Sequence, residues 1–389
     1  MKILQRYFAI SIAQAVAFVL VAFLALLAFM DLTGELASVG KNGYGIGRAF
    51  LYVLILIPGH VYEVMPIASL IGTIYTMAQF ASTSEFTIMR ASSMSTSMAA
   101  WFLFRIGVVF VIITFIFGEL ITPRTTPLAE KIKLIARGTT VSSEFRSGLW
   151  TKDIVKSDGL TGTVKGSRFF NVREVRTDGQ LMGVKLYEFD GNYRLRSVIA
   201  ATSAIYQGQN IWRLQDVTET HFSNAALLAP GAEANLKNNF AQESSAIVTL
   251  KSASKDLVSE ITPKILSVSS SDPDRMSANE LAVYTRHLTE NKQETERFKI
   301  AFWKKLIDPL AIFVLMALAL PFAYLHTRSG GISLKIFIGI MIGVSFILIN
   351  TLFSHLGLLS TWPALLTAVA PSALFLLLAL GALWWVERH

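Results

Sequence analysis

The sequence predicts an α-helical membrane protein with six transmembrane helices, three before and three after an inserted all-β domain, which is expected to be a β-jellyroll. Three observations carry this. Hydrophobic residues make up 52% of the 389 and the mean hydropathy is +0.49, more than a soluble globular chain of this length carries. Long, nearly uncharged apolar runs stand in both the first and the last third. The middle of the chain has short strand-like runs separated by turn signals instead.

Taken in order, a short basic head with Lys2 and Arg6 leads into an apolar run from Phe8 to Met30, long enough to span a bilayer and lacking a clear small-residue cleavage site. The next run, Ala49 to Phe80, is too long for one ordinary span and too short for two with a turn. Pro58-Gly59 divides it into an expected interfacial segment, Ala49 to Ile57, and a span from Val61 to Met77. A polar interruption, Gln79 to Ser97, follows. Within it Ser82 and Glu85 have capping-box spacing, and Phe86, Ile88, Met89 and Arg90 read as a short helix at about 83–93. Such a helix is shaped to fit a groove on a partner; a capped connector is the plainer reading of the same residues. A third span, Trp101 to Ile121, is expected to stop at Pro123.

Asp158-Gly159, Asp178-Gly179 and Asp190-Gly191 mark hairpins between strands expected at Phe169–Val175, Leu181–Phe189, Arg194–Tyr206 and Ile211–Val217. Sandwich, jelly roll and open barrel all fit this pattern. Ser277 and Glu280 form a second capping-box pattern, opening a polar helix that returns the chain to the membrane. Spans follow at Leu306–Tyr324, Ile336–Phe353 and Pro363–Val386. The expected division is thus 1–137 with the first three spans, 138–276 with the β domain, and 277–389 with the return helix and last three spans.

With the N-terminus inside, the short inner segments hold Lys2, Arg6, Arg90, Arg105, Arg328, Lys335 and Arg388, and the outer ones only Lys41 and Arg48. That places the short helix and both termini in the cytoplasm and the β domain outside. The net charge of +8 is a usual consequence of such topology and selects no ligand.

Catalytic and nucleotide motifs are missing. Gly330-Gly331 precedes Lys335 without phosphate-loop spacing, no H-E-x-x-H or G-x-S-x-G occurs, and there is no cysteine for a thiolate site or nucleophile. The chain is therefore expected to be no enzyme, to hold no cofactor or metal, and to bind no nucleic acid. Glu63, Glu119 and Asp308 are ionisable groups near the outer boundary, and Asn350 fits a helix–helix hydrogen bond. Lys304 and Lys305 stand at that boundary against the positive-inside trend, suited to anionic headgroups or phosphates, or to snorkelling beside Trp303.

The three-plus-three plan, the Ser84-Glu85-Phe86 helix start, the Gly148-Leu149-Trp150-x-x-Asp153 stretch and the Trp303-x-x-x-x-Asp308-Pro309-Leu310 run together resemble the lipopolysaccharide-export permease family, LptF/LptG, the Gly-Leu-Trp stretch leaning to the LptG branch. The resemblance implies a permease subunit of an ABC-type exporter in the bacterial inner membrane, with its β domain in the periplasm. It implies as partners a paralogous LptF, a cytoplasmic LptB ATPase dimer that binds the ATP and Mg, LptC, and lipopolysaccharide, taken from the membrane and passed to a periplasmic bridge. Carried over by position, Glu85, Phe86, Met89 and Arg90 belong to an ATPase-coupling helix. Family members often place lysine near the outer end of span one, whereas this chain has Asp31 and Glu35 there. Lys41, Arg48, Lys304 and Lys305 are thus the substrate-contact candidates. A competing reading is an ATPase-driven mechanotransmission protein that regulates a periplasmic partner. A membrane hydrolase would need a nucleophile and base facing each other, which no pair of residues here provides.

Overall fold

A computed structural model describes residues 2–40, 44–91, 94–137, 148–159, 161–176, 179–222, 247–263, 265–266, 272–324, 331–360 and 362–388. It divides into two compact units. One comprises residues 1–132, 272–285 and 294–389, and the other residues 133–271 and 286–293.

The first unit is a helical bundle in which, among the described residues, six helices are apolar and long enough to cross a membrane. Helix α1 (Lys2–Leu36) buries Phe8, Ile12 and Val16, a stripe of one residue per turn, and leaves Phe18 and Phe29 on its outer side. The stripe meets α2 (Ile46–Ser82), where a Cβ on Gly72 would lie 2.7 Å from the Val16 backbone. The missing side chain is what lets the two backbones approach.

Helix α2 overturns the expected division at Pro58-Gly59, since it runs unbroken for 37 residues with Pro58 and Pro66 inside. Each proline removes one hydrogen bond of the ladder, a loss that neighbouring helices and local adjustment offset in a membrane bundle. The run needs no second segment, because a helix of about 55 Å simply extends beyond the hydrocarbon or tilts within it. Short α3 (Glu85–Ala91) follows.

Helix α4 (Thr96–Phe115), a π turn (Ile116–Ile121) and α5 (Thr122–Arg137) form one continuous rod, so Pro123 does not end the third span. The π turn has already interrupted the ladder where the proline would break it. Gly118 in that turn is where the Tyr62 ring lies against the backbone, 2.5 Å from where a Cβ would be.

Among the described residues of the second unit six strands form one antiparallel sheet in sequential order: β1 (Leu149–Asp158), β2 (Thr161–Val175), β3 (Leu181–Asp190), β4 (Leu195–Gly208), β5 (Ile211–Phe222) and β6 (Ile247–Val258). The four expected strands all lie within these, and the Asp158-Gly159 and Asp190-Gly191 turns join neighbours as expected. Asp178 lies outside the described residues. The inserted all-β domain is present as expected, its described strands pairing in the order in which they follow one another along the chain. Four of the five links are only two to five residues long, which forces adjacent pairing.

The sheet buries Phe170, Val184, Leu186, Ile199, Trp212 and Leu214 on one face. It curls until the end of β6 reaches β2: Arg168 donates to the Val258 carbonyl at 3.1 Å, and Ser259 donates to fully buried Asp153 at 2.6 Å. Asp153 of the Gly-Leu-Trp stretch is thus a structural lock of the domain.

The chain returns through α6 (Ala278–Glu290), whose capping box forms as expected. The Ser277 N–H donates to Glu280 at 3.1 Å and the Glu280 N–H to the Ser277 hydroxyl at 3.2 Å. The fourth span joins α7 (Glu296–Ile307), a 3-10 turn at Asp308–Leu310, α8 (Ala311–Ala319) and a second 3-10 turn at Leu320–Ala323. Helices α9 (Ile332–Leu359) and α10 (Ala364–Arg388) complete the bundle, and Gly339 and Gly343 bring α9 against Ile74 and Ile67 of α2.

Candidate functional site

The short helix α3 is mounted on four spans. Thr83 and Ser84 link it to α2, with Ser84 in the left-handed region at φ 60°, an uncommon conformation for a residue with a side chain. The capping box expected at Ser82 does not form. Ser82 lies in the last turn of α2 and donates to the Gln79 carbonyl at 2.8 Å, leaving Glu85 to start α3. Glu85 instead accepts a 2.9 Å hydrogen bond from the Tyr7 hydroxyl on α1.

Phe86 and Met89 are buried, 2% and 6% exposed, in the same core as Phe8, Phe80 and Phe102. Their apolar face points into this chain, so the surface α3 presents outward is Thr87, Ile88, Arg90 and Ala91, with Ile88 63% exposed. Tyr324, at the end of the fourth span, was not singled out by sequence and is the hub of the mount. Its ring meets Phe86 edge-on at 5.1 Å, carries the Arg90 guanidinium at 4.8 Å, and its hydroxyl pairs with Thr96 at 2.8 Å. A tyrosine closing an apolar run at a membrane boundary was the available signal. The arrangement fixes α3 to α1, α2, α4 and the fourth span at once, so a force on its outer face reaches all four.

At the other end of the bundle lies a polar cluster. His60 bridges two acids, with Nε2 2.7 Å from Asp31 and Nδ1 3.4 Å from Glu63. Glu119 in the π turn accepts the Ala278 N–H at 3.0 Å, anchoring the start of α6.

The substrate-contact candidates do not converge. Lys305 is 3% exposed, its ammonium 4.3 Å from the Tyr62 ring centroid and donating to the Asp274 carbonyl at 3.3 Å, so its charge is taken up inside the bundle. Lys304 is half-buried and Arg48 exposed; Lys41 lies outside the described residues. No group of three or more His, Asp or Glu among the described residues is arranged to hold a metal ion.

A sequence model described as "Lipopolysaccharide export system permease LptF/LptG" matches residues 6–387. The chain is 27% identical over 384 residues to the lipopolysaccharide export system permease protein LptG of Escherichia coli (strain K12), covering 98% of both chains. It is 27% identical over 386 residues to the LptG protein of Haemophilus influenzae (strain ATCC 51907 / DSM 11121 / KW20 / Rd), covering 98% of this chain and 97% of the relative. With six spanning helices, an inserted β sheet and a match along almost its entire length, the chain belongs to the LptF/LptG family of lipopolysaccharide export permeases.

Proposed function

We propose that the chain is a non-catalytic permease subunit of an ABC-type exporter of the inner membrane, which takes lipopolysaccharide from the membrane and passes it to a periplasmic bridge. ATP is hydrolysed by a separate ATPase dimer that docks on α3, and a paralogous permease and an LptC-type protein complete the assembly. The observation that carries the reading is the mount of α3. A helix seated on Phe86, Met89 and Tyr324, with Ile88 and Arg90 outward and Glu85 tied to Tyr7, converts closure of a partner groove into motion of several spans. Lys304 and Arg48 are the remaining described candidates for the phosphates of the substrate, and Lys305 acts by holding the outer ends of the second and fourth spans.

Native mass spectrometry of the chain purified from its own membranes tests this. The expected particle contains two ATPase copies, a second six-span subunit and bound lipopolysaccharide. Recovery with an ATPase and a periplasmic enzyme but no glycolipid would overturn the reading in favour of a mechanical transmitter.

A further inference from the structure

At the α3 end of the bundle, α4, α8 and α10 enclose a groove of about 450 Å3. Ala100, Leu103, Ala317 and Leu383 line it, and one wall is a stack of three rings: Trp101 on Phe104 at 5.4 Å and 17°, and Phe104 on Phe313 at 4.8 Å and 24°. Trp101 and Phe104 are 57% and 44% exposed, so the groove faces the surroundings of the bundle and not its core.

Arg105 stands beside it. It is exposed, lies within the membrane-spanning stretch Thr96–Lys133, and pairs with no acidic group among the described residues. It follows Trp101 by four residues and so shares its side of α4. Side chains on a helix lean toward the N-terminus, which brings the level of Trp101 within the reach of a long side chain at position 105. An unpaired charge at this depth is expensive unless an anion meets it. Trp384 and Trp385, next to Leu383 on α10, are also exposed, and Arg388 lies 4.1 Å over the Trp384 ring. This is the aromatic and basic composition of a headgroup boundary.

We propose that the groove is a binding site for an anionic glycerophospholipid of the leaflet at the α3 end. One acyl chain lies between α4, α8 and α10, and the phosphate is held by Arg105 beside Trp101. The charge of Arg105 selects the anionic headgroup, and the lining, apolar apart from Ser97, accepts the chain. The proposal rests on the membrane-permease reading but concerns a resident lipid, not the transported one.

The test uses the assembled complex in nanodiscs of equal phosphatidylglycerol and phosphatidylethanolamine, with retained lipid counted by native mass spectrometry. Arg105→Gln is expected to lower retained phosphatidylglycerol about fivefold, the effect of one basic side chain at an anionic surface, and to leave phosphatidylethanolamine unchanged. Ala317→Leu, which fills the groove, is expected to lower both lipids. Unchanged phosphatidylglycerol retention in both variants would overturn the proposal.

A second measurement needs no substitution in the wall. Phosphatidylglycerol with a photoreactive acyl chain should label the peptides holding Ala100–Phe104 and Leu383 in the unmodified complex. Labelling spread evenly over all lipid-facing spans would overturn the site, as would a benzophenone at Trp101 that captures another subunit in place of lipid. Loss of the ATPase from the unmodified complex would count against the exporter reading alone, so the two failures are distinguishable.

Discussion

At the scale of single residues, α3 separates a seat from a contact surface. Phe86→Ala would empty a site against Tyr324 and the Phe8–Phe80 cluster, at a cost of about 3–5 kcal/mol for a buried aromatic. The expected result is a lower melting temperature in detergent together with weaker ATPase recovery. Ile88→Glu changes an exposed position, so the melting temperature should hold while ATPase copurification falls. If both variants lose stability equally, α3 is a connector and not a docking surface. Glu85→Lys breaks the bond from Tyr7 and reverses the charge at the helix start, and should weaken ATPase association while membrane insertion is kept.

The β unit gives a second residue-scale expectation, in pH. Burial holds His287 below the ordinary histidine value of 6.5, against the nearby carboxylates Asp153, Glu260 and Glu290. The unfolded chain therefore binds the proton first, and stability present above 6.5 is lost as pH falls through the lowered folded value. Burial would also raise Glu188, but the Arg168 guanidinium and Ser197 outweigh it and leave it low, so it too favours the unfolded chain on acidification. Asp153 runs the other way, raised by burial despite Ser259 and Arg168, and takes up a proton more readily when folded. The contribution of His287 is isolated by difference. The intact chain should lose protection of its β-strand amides between pH 7 and 5.5 more steeply than His287→Gln, after correction for intrinsic exchange.

At the scale of elements, packing between spans depends on missing side chains. Gly72→Val would drive a branched side chain into the Val16 backbone and separate α1 from α2, an overpacking cost of about 1–3 kcal/mol. Thermal unfolding in detergent and crosslinking between the two helices check it, with both expected to fall. Six spans, four strands, two hairpin turns and the α6 capping box were legible in the sequence, because each is written in local hydrophobicity or turn chemistry. What was not legible depended on tertiary neighbours. Pro58 and Pro123 read as stops, but bundle contacts and a π turn absorbed them. Ser82 and Ser277 carry the same spacing, yet only Ser277 caps, because Ser82 still belongs to the preceding helix. Phe86 and Met89 were rightly placed on an apolar face of α3; that this face turns inward depends on Tyr324, more than two hundred residues away.

At the scale of the whole molecule, the absence of cysteine is an experimental convenience. Single cysteines at Ile88 and at Tyr193, exposed by 63% and 71%, would report topology against a silent background. A membrane-impermeant maleimide added to whole cells with a permeabilised outer membrane should label Tyr193→Cys, and should label Ile88→Cys only once the inner membrane is opened. The reverse pattern would invert the assigned topology. The unbroken course of α2 adds a mechanical consequence. It is the helix to which α3 is directly linked, and it borders α1, α8 and α9. A stiff rod of about 55 Å pivoting by about 5° sweeps its far tip through about 5 Å. Leverage of that kind would carry a small rotation at α3 to the Ile46 end of the rod as a shift about as large as one helical turn.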